Sequence, residues 1–163
     1  EKNVENVAER LGEDFEEYSE RIYALHDIGR HFIPFAILNK VGGLSEGEKQ
    51  MIKDHTINAR KAIRSIYIQP FPDEIMEQWE KIAVYHHERF DGGGYPEGKK
   101  GEEIPIGARI CAIADTYDGI VSWKPYKKKQ TTKEEAVRII EEESGGQFQP
   151  ELVEIFRECI DRF

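Results

Sequence analysis

The sequence from Pro72 to Pro96, PDEIMEQWEKIAVYHHERFDGGGYP, joins an amphipathic helical pattern to two histidines and a glycine loop. The apolar residues that recur at helical spacing are Ile75, Met76, Trp79, Ile82 and Ala83. His86 continues this apolar face. Successive helical residues point about 100° apart, so His86 and His87 cannot share one helix face. At a helix end, however, their side chains can converge on one point, and that geometry favours a metal cluster over a hydrophobic core.

Similar helical patterns lie on both sides of this stretch. Ser45 and Glu48 have the spacing of a capping box and predict the start of one helix that runs to Tyr67. Its apolar face consists of Ile52, Ala59, Ala62, Ile63 and Ile66. His55 falls on that same face. Further along, the segment IPIGARICAIADTYDGIVS predicts another helix, one face of which contains Ile106, Ile110, Ile113, Ala114 and Tyr117.

The remaining helices follow from start signals. In IPFAILNKVGGLS, Pro34 can begin a short helix that a Gly-Gly turn ends. Thr131 or Thr132 caps KEEAVRIIEEES, and Pro150 begins a last helix that ends near Phe163. No segment shows the alternation of a strand. The sequence therefore predicts an all-α fold, a compact helical bundle.

Size and charge limit the possible functions. The 163 residues fit one domain, and the net charge of -9 argues against a duplex nucleic acid as partner. A basic island, KPYKKKQ from Lys124 to Gln130, is either a solvated lysine patch or a contact for a phosphorylated ligand. The chain has no apolar run long enough for a bilayer and no signal peptide, so we expect a cytoplasmic domain without membrane contact. Because residue 1 falls inside a helical pattern, we expect residues 1–163 to be one domain of a longer protein with an upstream regulatory region.

Four imidazoles and two carboxylates form the candidate metal site: His26, Asp27, His55, His86, His87 and Asp115. A lone histidine on an apolar helix face is usually a hydrogen-bonded core residue, but three predicted helices each carry one. Asp115 lies in an apolar run, where an unpaired carboxylate is costly and a divalent cation removes the cost. This mixture of ligands suits Fe, Mn, Zn or Ni. Six ligands exceed the needs of one four-coordinate ion, so two ions that share a bridging carboxylate are expected. Such a centre activates water and stabilises in-line attack at phosphorus.

The glycine loop has two interpretations. Gly92, Gly93 and Gly94 allow the backbone to approach a ligand closely. Tyr95 offers a flat face to a nucleobase or a phenol to a phosphate oxygen. Alternatively, the loop is a surface turn without a function. Taken alone, the pattern GGGYP does not decide between the two interpretations.

Taken together, these motifs resemble the HD-GYP family, a bacterial branch of the HD phosphohydrolase superfamily. The matching stretches are ALHDIGRHFIPFAILNK, IKDHT, YHHERFDGGGYPEG, GEEIPIGARICAIADTYDGIVS, KPYKK and SGGQFQPELVEIF. They run in family order from about Leu25 to the end of the chain. The resemblance implies a helical bundle of the HD-domain type with a site for two or three iron or manganese ions. It also implies a phosphodiesterase that hydrolyses cyclic di-GMP to pGpG, or further to GMP, with a metal-bridging hydroxide.

The resemblance also assigns roles to residues. His26, Asp27, His55, His86, His87 and Asp115 would be the metal ligands. Asp27 would bridge the ions and, together with Arg30, act in catalysis. Gly94 and Tyr95, in the glycine loop, would shape the substrate entrance or a partner surface, while Arg30, Lys124 and Lys127 would contact phosphate.

Three features depart from the family pattern. Arg30 stands where the family usually has lysine, and it is a poorer proton donor, so turnover would be slow. KPYK replaces an RPYR-like segment, which weakens bidentate contact with phosphate. Some members bind a third ion with a further Glu and His from the helix before the HD motif, but the corresponding region here contains no histidine. We therefore expect two ions unless Asn3 replaces that histidine or the equivalent helix lies upstream of Glu1. His31 has no family role and is expected to support the ligands or to lie on the surface.

Three functions therefore stay open. The first is a cyclic di-GMP phosphodiesterase. The second is a weakly active or inactive module that senses the nucleotide or docks a diguanylate cyclase domain. The third, a general HD phosphohydrolase for other nucleotides, is disfavoured by the GYP stretch. The complete set of ligand types favours the enzyme, whereas Arg30 and the missing upstream ligands favour the quieter module.

Overall fold

The computed structural model describes residues 22–65, 73–122 and 131–160. Within these ranges the helices are α1 Phe35–Leu38, α2 Glu46–Lys53, α3 His55–Ser65, α4 Asp73–Tyr85, α5 Ile106–Val121, α6 Lys133–Glu142 and α7 Pro150–Cys159. Two 3-10 helices, Ile28–Phe32 and Gly101–Glu103, lie between them. Extended pairing in the described ranges is limited to a single bridge between Ser144 and Phe148, so the predicted all-α class is confirmed. In these ranges, no helix combines the length and apolar character needed to cross a bilayer.

The predicted helix starts are present. Ser45 caps α2 by accepting from the Glu48 amide at 3.3 Å, and the Glu48 carboxylate accepts from the Ser45 amide at 2.8 Å. Thr132, not Thr131, caps α6 in the same reciprocal way. Pro150 occupies the first turn of α7. The predicted end near Phe163 lies outside the described residues.

Two details of the prediction are wrong. The helix expected from Ser45 to Tyr67 is divided at Asp54 into α2 and α3. The Thr56 hydroxyl donates to the Lys53 carbonyl at 2.9 Å, which gives that carbonyl a side-chain partner beside the break. In α5, Ala114 is exposed rather than buried. This helix is buried on two sides, and at about 100° per residue Ala114 falls between the two buried faces.

Two hydrophobic clusters meet at α5. The first cluster lies where α3, α4 and α5 pack together and contains Ile22, Ala59, Ile63, Ile75, Trp79, Ile82, Ala83 and Cys111. The second lies where α5 packs on α6 and α7 and contains Ala112, Ile113, Ile140, Phe148, Leu152 and Val153. Cys111 is buried in the first cluster as a small apolar residue, and this burial raises the pKa of its thiol.

Candidate metal centre

All six predicted ligands lie at one end of the first cluster. His26 and Asp27 precede the first 3-10 helix, His55 is the first residue of α3, His86 and His87 follow α4, and Asp115 lies in α5. They form two groups that could each hold an ion: Asp27, His55, His86 and His87, and His26, Asp27 and Asp115. Within each group the ligand atoms lie within 4.8 Å of one another. Asp27 belongs to both groups.

Gly29 allows the first 3-10 helix to approach α3 closely. A Cβ atom built at Gly29 would overlap the His55 carbonyl oxygen and would lie 2.7 Å from the Ala59 amide nitrogen. Any side chain at this position would therefore push the 3-10 helix away from α3. Because Asp27 lies two residues before Gly29, this contact brings Asp27 within reach of His55. Sequence reasoning missed the role of Gly29.

Each carboxylate oxygen of Asp27 faces a different part of the cluster. Its Oδ1 lies 3.2 Å from His55 Nε2 and 3.7 Å from His86 Nε2. Its Oδ2 lies 3.5 Å from His26 Nε2, and His26 Nε2 lies 3.4 Å from Asp115 Oδ1. Asp27 thus stands between the two candidate groups with one oxygen turned towards each.

Three of the imidazoles are oriented by the backbone. The Nδ1 atom of His26 lies 2.6 Å from the carbonyl oxygen of Tyr23. The Nδ1 atom of His55 lies 2.5 Å from the carbonyl oxygen of Ile52, and that of His86 lies 3.0 Å from the carbonyl oxygen of Ala83. A carbonyl only accepts, so Nδ1 carries the ring proton in each case. In the neutral ring Nε2 then presents a lone pair to the cluster, as in metal-binding histidines whose outer nitrogen is fixed by a hydrogen bond.

A positive group at the centre of the cluster would stabilise this arrangement. His55 Nε2 and His86 Nε2 lie only 3.4 Å apart, and both rings are about 1% exposed. Burial lowers the pKa of His86, and burial together with His86 and His55 lowers the pKa of His87 to about 3, so the rings of His86 and His87 are neutral at physiological pH. His26 Nε2 and Asp27 Oδ1 are buried without a hydrogen-bond partner in the described part of the chain. A cation would satisfy these lone pairs together.

Both carboxylates stay ionised in this setting. Burial alone would raise the pKa of Asp27, but its polar and charged neighbours, among them the Arg30 guanidinium 2.9 Å from Oδ2, hold it well below its usual range. The His26 ring lowers the pKa of Asp115 against the opposing effect of burial. Their side chains are 24% and 30% exposed, so solvent reaches the cluster from the carboxylate side. The donors present, imidazole nitrogens and anionic oxygens, are consistent with divalent metal binding.

The residues from Asp91 to Gly98, called here the GYP loop, fold back onto the cluster. The Tyr95 amide donates to the His87 carbonyl at 3.2 Å. The Tyr95 ring stacks on the His87 ring, with centroids 4.9 Å apart and planes at 28°. A Cβ at Gly94 would lie 2.5 Å from Glu88 Cα, so glycine is required for this close approach. The loop is therefore packed against the candidate ligands, and His87 already covers one face of the tyrosine ring.

Two further residues near the loop were missed by sequence reasoning. The Lys53 ammonium lies 5.2 Å from the Tyr95 ring centroid and adds a cation at the edge of the site. Glu88 is only 3% exposed and accepts hydrogen bonds from two amides of the GYP loop. Lys53 lies in the motif IKDHT and Glu88 lies in the motif YHHERFDGGGYPEG, but neither motif predicts which residues are buried or which groups they contact.

The predicted substrate contacts have different outcomes. Arg30 Nη2 lies 2.9 Å from Asp27 Oδ2, beside the cluster, and Gly94 and Tyr95 lie at its edge. Lys124, Lys127 and Asn3 lie outside the described residues. His31 is exposed and stands against Phe32, with ring centroids 6.3 Å apart.

Comparison with known proteins establishes the family. A family model described as HD domain matches residues 3–152. A cyclic di-GMP phosphodiesterase of Thermotoga maritima is 46% identical over 133 residues, which cover 81% of this chain and 34% of the relative. The chain belongs to the HD-GYP family of HD domains. The resemblance to HD-GYP proteins and the predicted HD-domain bundle are thereby confirmed.

Other relatives of this HD-GYP domain agree. A cyclic di-GMP phosphodiesterase response regulator of Xanthomonas campestris is 37% identical over 150 residues, which cover 91% of this chain and 38% of the relative. A 3'3'-cGAMP-specific phosphodiesterase of Vibrio cholerae is 34% identical over 139 residues, or 85% of this chain and 26% of the relative. The chain spans about a third of the length of the curated relatives it matches.

A solved structure supports the fold alone. The crystal structure of a cyclic GMP-AMP-specific phosphodiesterase of Vibrio cholerae matches with a TM-score of 0.50 and 23% sequence identity. The match covers 84% of this chain and 36% of that chain.

Proposed function

We propose that this HD-GYP domain is a metal-dependent phosphodiesterase that hydrolyses cyclic di-GMP to pGpG, or further to GMP. The observation that carries the proposal is the convergence of imidazole Nε2 atoms from three elements on the Asp27 carboxylate. His55 Nε2 and His86 Nε2 lie 3.2 Å and 3.7 Å from its Oδ1, and His26 Nε2 lies 3.5 Å from its Oδ2. The relatives named as cyclic dinucleotide phosphodiesterases support the same reaction class.

The proposed cofactor is a pair of divalent ions, iron or manganese. One ion would be held by His26, Asp27 and Asp115, and the other by Asp27, His55, His86 and His87, with Asp27 shared between them. Ions bound there supply Lewis acids for the phosphate and generate a nucleophile from water at neutral pH. The backbone bonds of His26, His55 and His86 hold the lone pairs in place, which limits the reorganisation needed to bind metal.

The proposed substrate contacts lie on the exposed side of the cluster. Arg30 lies beside Asp27 and can move from the carboxylate to a phosphate oxygen, because a guanidinium pairs with either group. Burial raises the pKa of Tyr95 to about 12, so its phenol is protonated and can donate to a phosphate oxygen. Lys53 adds a positive charge next to this ring. Lys124 and Lys127 stay in the proposal as further phosphate contacts.

We propose cyclic di-GMP rather than another cyclic dinucleotide because the more similar of these relatives are named for it. The relatives at 46% and 37% identity are named for cyclic di-GMP, whereas a relative at 34% is named for 3'3'-cGAMP. Both nucleotides carry two phosphodiester bonds, and in this proposal the cluster would contact phosphate rather than base. The base would therefore be selected outside the metal cluster, and both nucleotides belong in the assay.

A second function has one observation in its favour. The Arg30 guanidinium binds Asp27 Oδ2 at 2.9 Å and so competes for an oxygen that a metal would need. A domain in which this pair persists would bind metal weakly and turn over slowly. It would then act as a nucleotide sensor or as a docking partner for a diguanylate cyclase domain.

We further propose that the domain acts in the cytoplasm as one part of a longer protein with an upstream regulatory region. The support is the length of the curated relatives, of which this chain covers 34% and 38% in two cases. In such a protein the upstream region would control access to the carboxylate side of the cluster.

The deciding experiment is incubation of protein loaded with Fe²⁺ or Mn²⁺ without oxygen, first with cyclic di-GMP and then with 3'3'-cGAMP, followed by chromatography of the products. Production of pGpG or GMP supports the enzyme. Recovery of intact nucleotide from protein that binds it would support the sensor instead.

Asp115→Asn should abolish turnover, whereas Asp118→Asn, the matched control one turn later in α5, should not. Asp118 is exposed and pairs with the Ser122 hydroxyl at 3.0 Å.

A further inference from the structure

We propose that Glu88 is a positioning residue that fixes the GYP loop against the metal cluster and, through Tyr95, sets the orientation of His87. This inference rests on the metal site proposed above. Glu88 belongs to neither candidate ligand group in the described part of the chain. Its carboxylate is nevertheless buried, at 3% exposed, beside two of the ligands. A buried carboxylate is costly unless specific hydrogen bonds stabilise it, so its partners indicate what it does.

The partners of Glu88 are backbone amides of the loop. Its Oε1 accepts from the Glu97 amide at 2.7 Å and from the Gly98 amide at 3.0 Å. Hydrogen bonds to an ionised acceptor are roughly twice as strong as neutral ones. Its Oε2 is buried without a hydrogen-bond partner in the described ranges, so the contacts of Oε1 define the role of the side chain. Glu88 therefore binds the end of the loop to the histidine pair.

The loop is held at its other end by different groups. The Arg89 guanidinium contacts Asp91 at 2.9 Å, Glu143 at 3.1 Å and Gln147 at 3.2 Å. The Asp91 amide donates to the Gly146 carbonyl at 2.9 Å. Arg89 thus fixes the first half of the loop, and Glu88 fixes the half that follows Tyr95. Glu88 directly follows His87 in the sequence, and Arg89 follows Glu88.

His87 is the ligand that needs such support. His26, His55 and His86 each use Nδ1 to bind a backbone carbonyl, whereas no carbonyl in the described ranges accepts from the His87 ring. The ring of His87 instead stacks on Tyr95, at 4.9 Å and 28°. Tyr95 also donates its amide to the His87 carbonyl at 3.2 Å. The orientation of His87 therefore depends on where the loop holds Tyr95. Glu88 determines that position because it binds the amides of Glu97 and Gly98, which follow Tyr95 in the loop.

The test compares Glu88→Ala and Glu88→Gln with Glu97→Gln in metal-stripped protein titrated with Mn²⁺. Glu97 lies in the same loop, but its exposed side chain bonds Tyr85 and Lys99, and its amide still reaches Glu88. Glu88→Ala should weaken Mn²⁺ binding about tenfold, as loss of a group that orients a ligand does. Glu88→Gln keeps a neutral acceptor and should weaken binding about threefold, because the charge-assisted strength is lost. Glu97→Gln should match the wild type.

Hydrogen exchange and a double mutant separate positioning from general loss of structure. The Glu97 and Gly98 amides should exchange faster in Glu88→Ala, with no change in α7. In a Tyr95→Ala background Glu88→Ala should have little further effect on Mn²⁺ affinity, because both act through the same ring. Wild-type affinity in Glu88→Ala would overturn the inference, and so would fully additive effects. If Glu88→Ala does not fold, Glu88→Gln decides by the same threefold criterion. A wild-type protein that binds no Mn²⁺ would instead refute the proposed function itself.

Discussion

Replacing Gly29 by alanine tests how the metal site is assembled. The added Cβ would overlap the His55 carbonyl oxygen and would lie 2.8 Å from the His55 carbonyl carbon. Carbon atoms in contact prefer about 3.5–4.0 Å, so the 3-10 helix must retreat from α3 by about 1 Å. Such overpacking costs about 1–3 kcal/mol.

The same movement should weaken metal binding. Asp27 Oδ1 lies 3.2 Å from His55 Nε2, and a shift of Asp27 by about 1 Å exceeds the tolerance of about 0.2 Å on metal–ligand distances. We expect Mn²⁺ affinity to fall by about 10–100-fold, the usual range for loss of a group that orients a ligand. The unfolding midpoint should fall by about 2–4 °C per kcal/mol for a chain of this size.

The assay is thermal unfolding by circular dichroism without metal, followed by a Mn²⁺ titration. Gly47→Ala is the matched control, because Gly47 lies in α2 and an added Cβ meets nothing within 4 Å. That variant should be more stable by about 0.5–1 kcal/mol, since alanine is the better helix former. If Gly29→Ala behaves like Gly47→Ala in both measurements, the close approach of the 3-10 helix to α3 is not what assembles the site.

The remaining predictions concern Arg30 and Ser45. Arg30→Ala should leave the metal content unchanged. It should weaken cyclic di-GMP binding by about 10–100-fold, because a hydrogen bond to a charged group contributes about that much to affinity. If calorimetry gives the same affinity for the variant and the wild type, Arg30 does not contact the substrate. Arg30→Lys should raise the rate constant of hydrolysis in single-turnover assays, because an ammonium donates a proton more readily than a guanidinium. A lower rate constant would contradict that role. Ser45→Ala removes the cap of α2 and should cost about 1 kcal/mol in denaturant unfolding. Its Mn²⁺ affinity should stay constant, because Ser45 caps the first turn of α2, whereas the Ile52 carbonyl that orients His55 lies in the last turn. A fall in affinity would mean that loss of the cap disturbs the whole helix as far as Ile52.

The convergence of the six predicted ligands into two candidate groups could be anticipated because their signals are local. His55 and His86 fall on apolar helix faces, and Asp115 interrupts an apolar run. Each pattern is visible within about two helical turns. The division of the predicted helix at Asp54 was missed because the apolar periodicity continues through it. The break coincides with the hydrogen bond from the Thr56 hydroxyl to the Lys53 carbonyl, and the spacing of apolar residues does not predict such a bond.

The supporting residues could not be predicted because their roles arise only from tertiary approach. Gly29 is needed because another helix presents the His55 carbonyl to it. Glu88 has the appearance of an ordinary charged loop residue until the GYP loop folds over it. From the sequence alone, Lys53 would likewise be interpreted as a solvated residue at the end of α2. Its position near Tyr95 follows from the path of the GYP loop. Lys124 and Lys127 stay predictions.

Asp27 is proposed to be shared by two ions, and the metal content of the Asp27→Ala variant is the decisive measurement of this sharing. Wild-type protein and this variant would be reconstituted with Mn²⁺ without oxygen, desalted and analysed by plasma mass spectrometry, with Asp73→Ala as an exposed-carboxylate control. We predict two ions per chain in the wild type and the control, and less than one in Asp27→Ala, because its two oxygens face both ligand groups. Two ions retained in Asp27→Ala would contradict the claim.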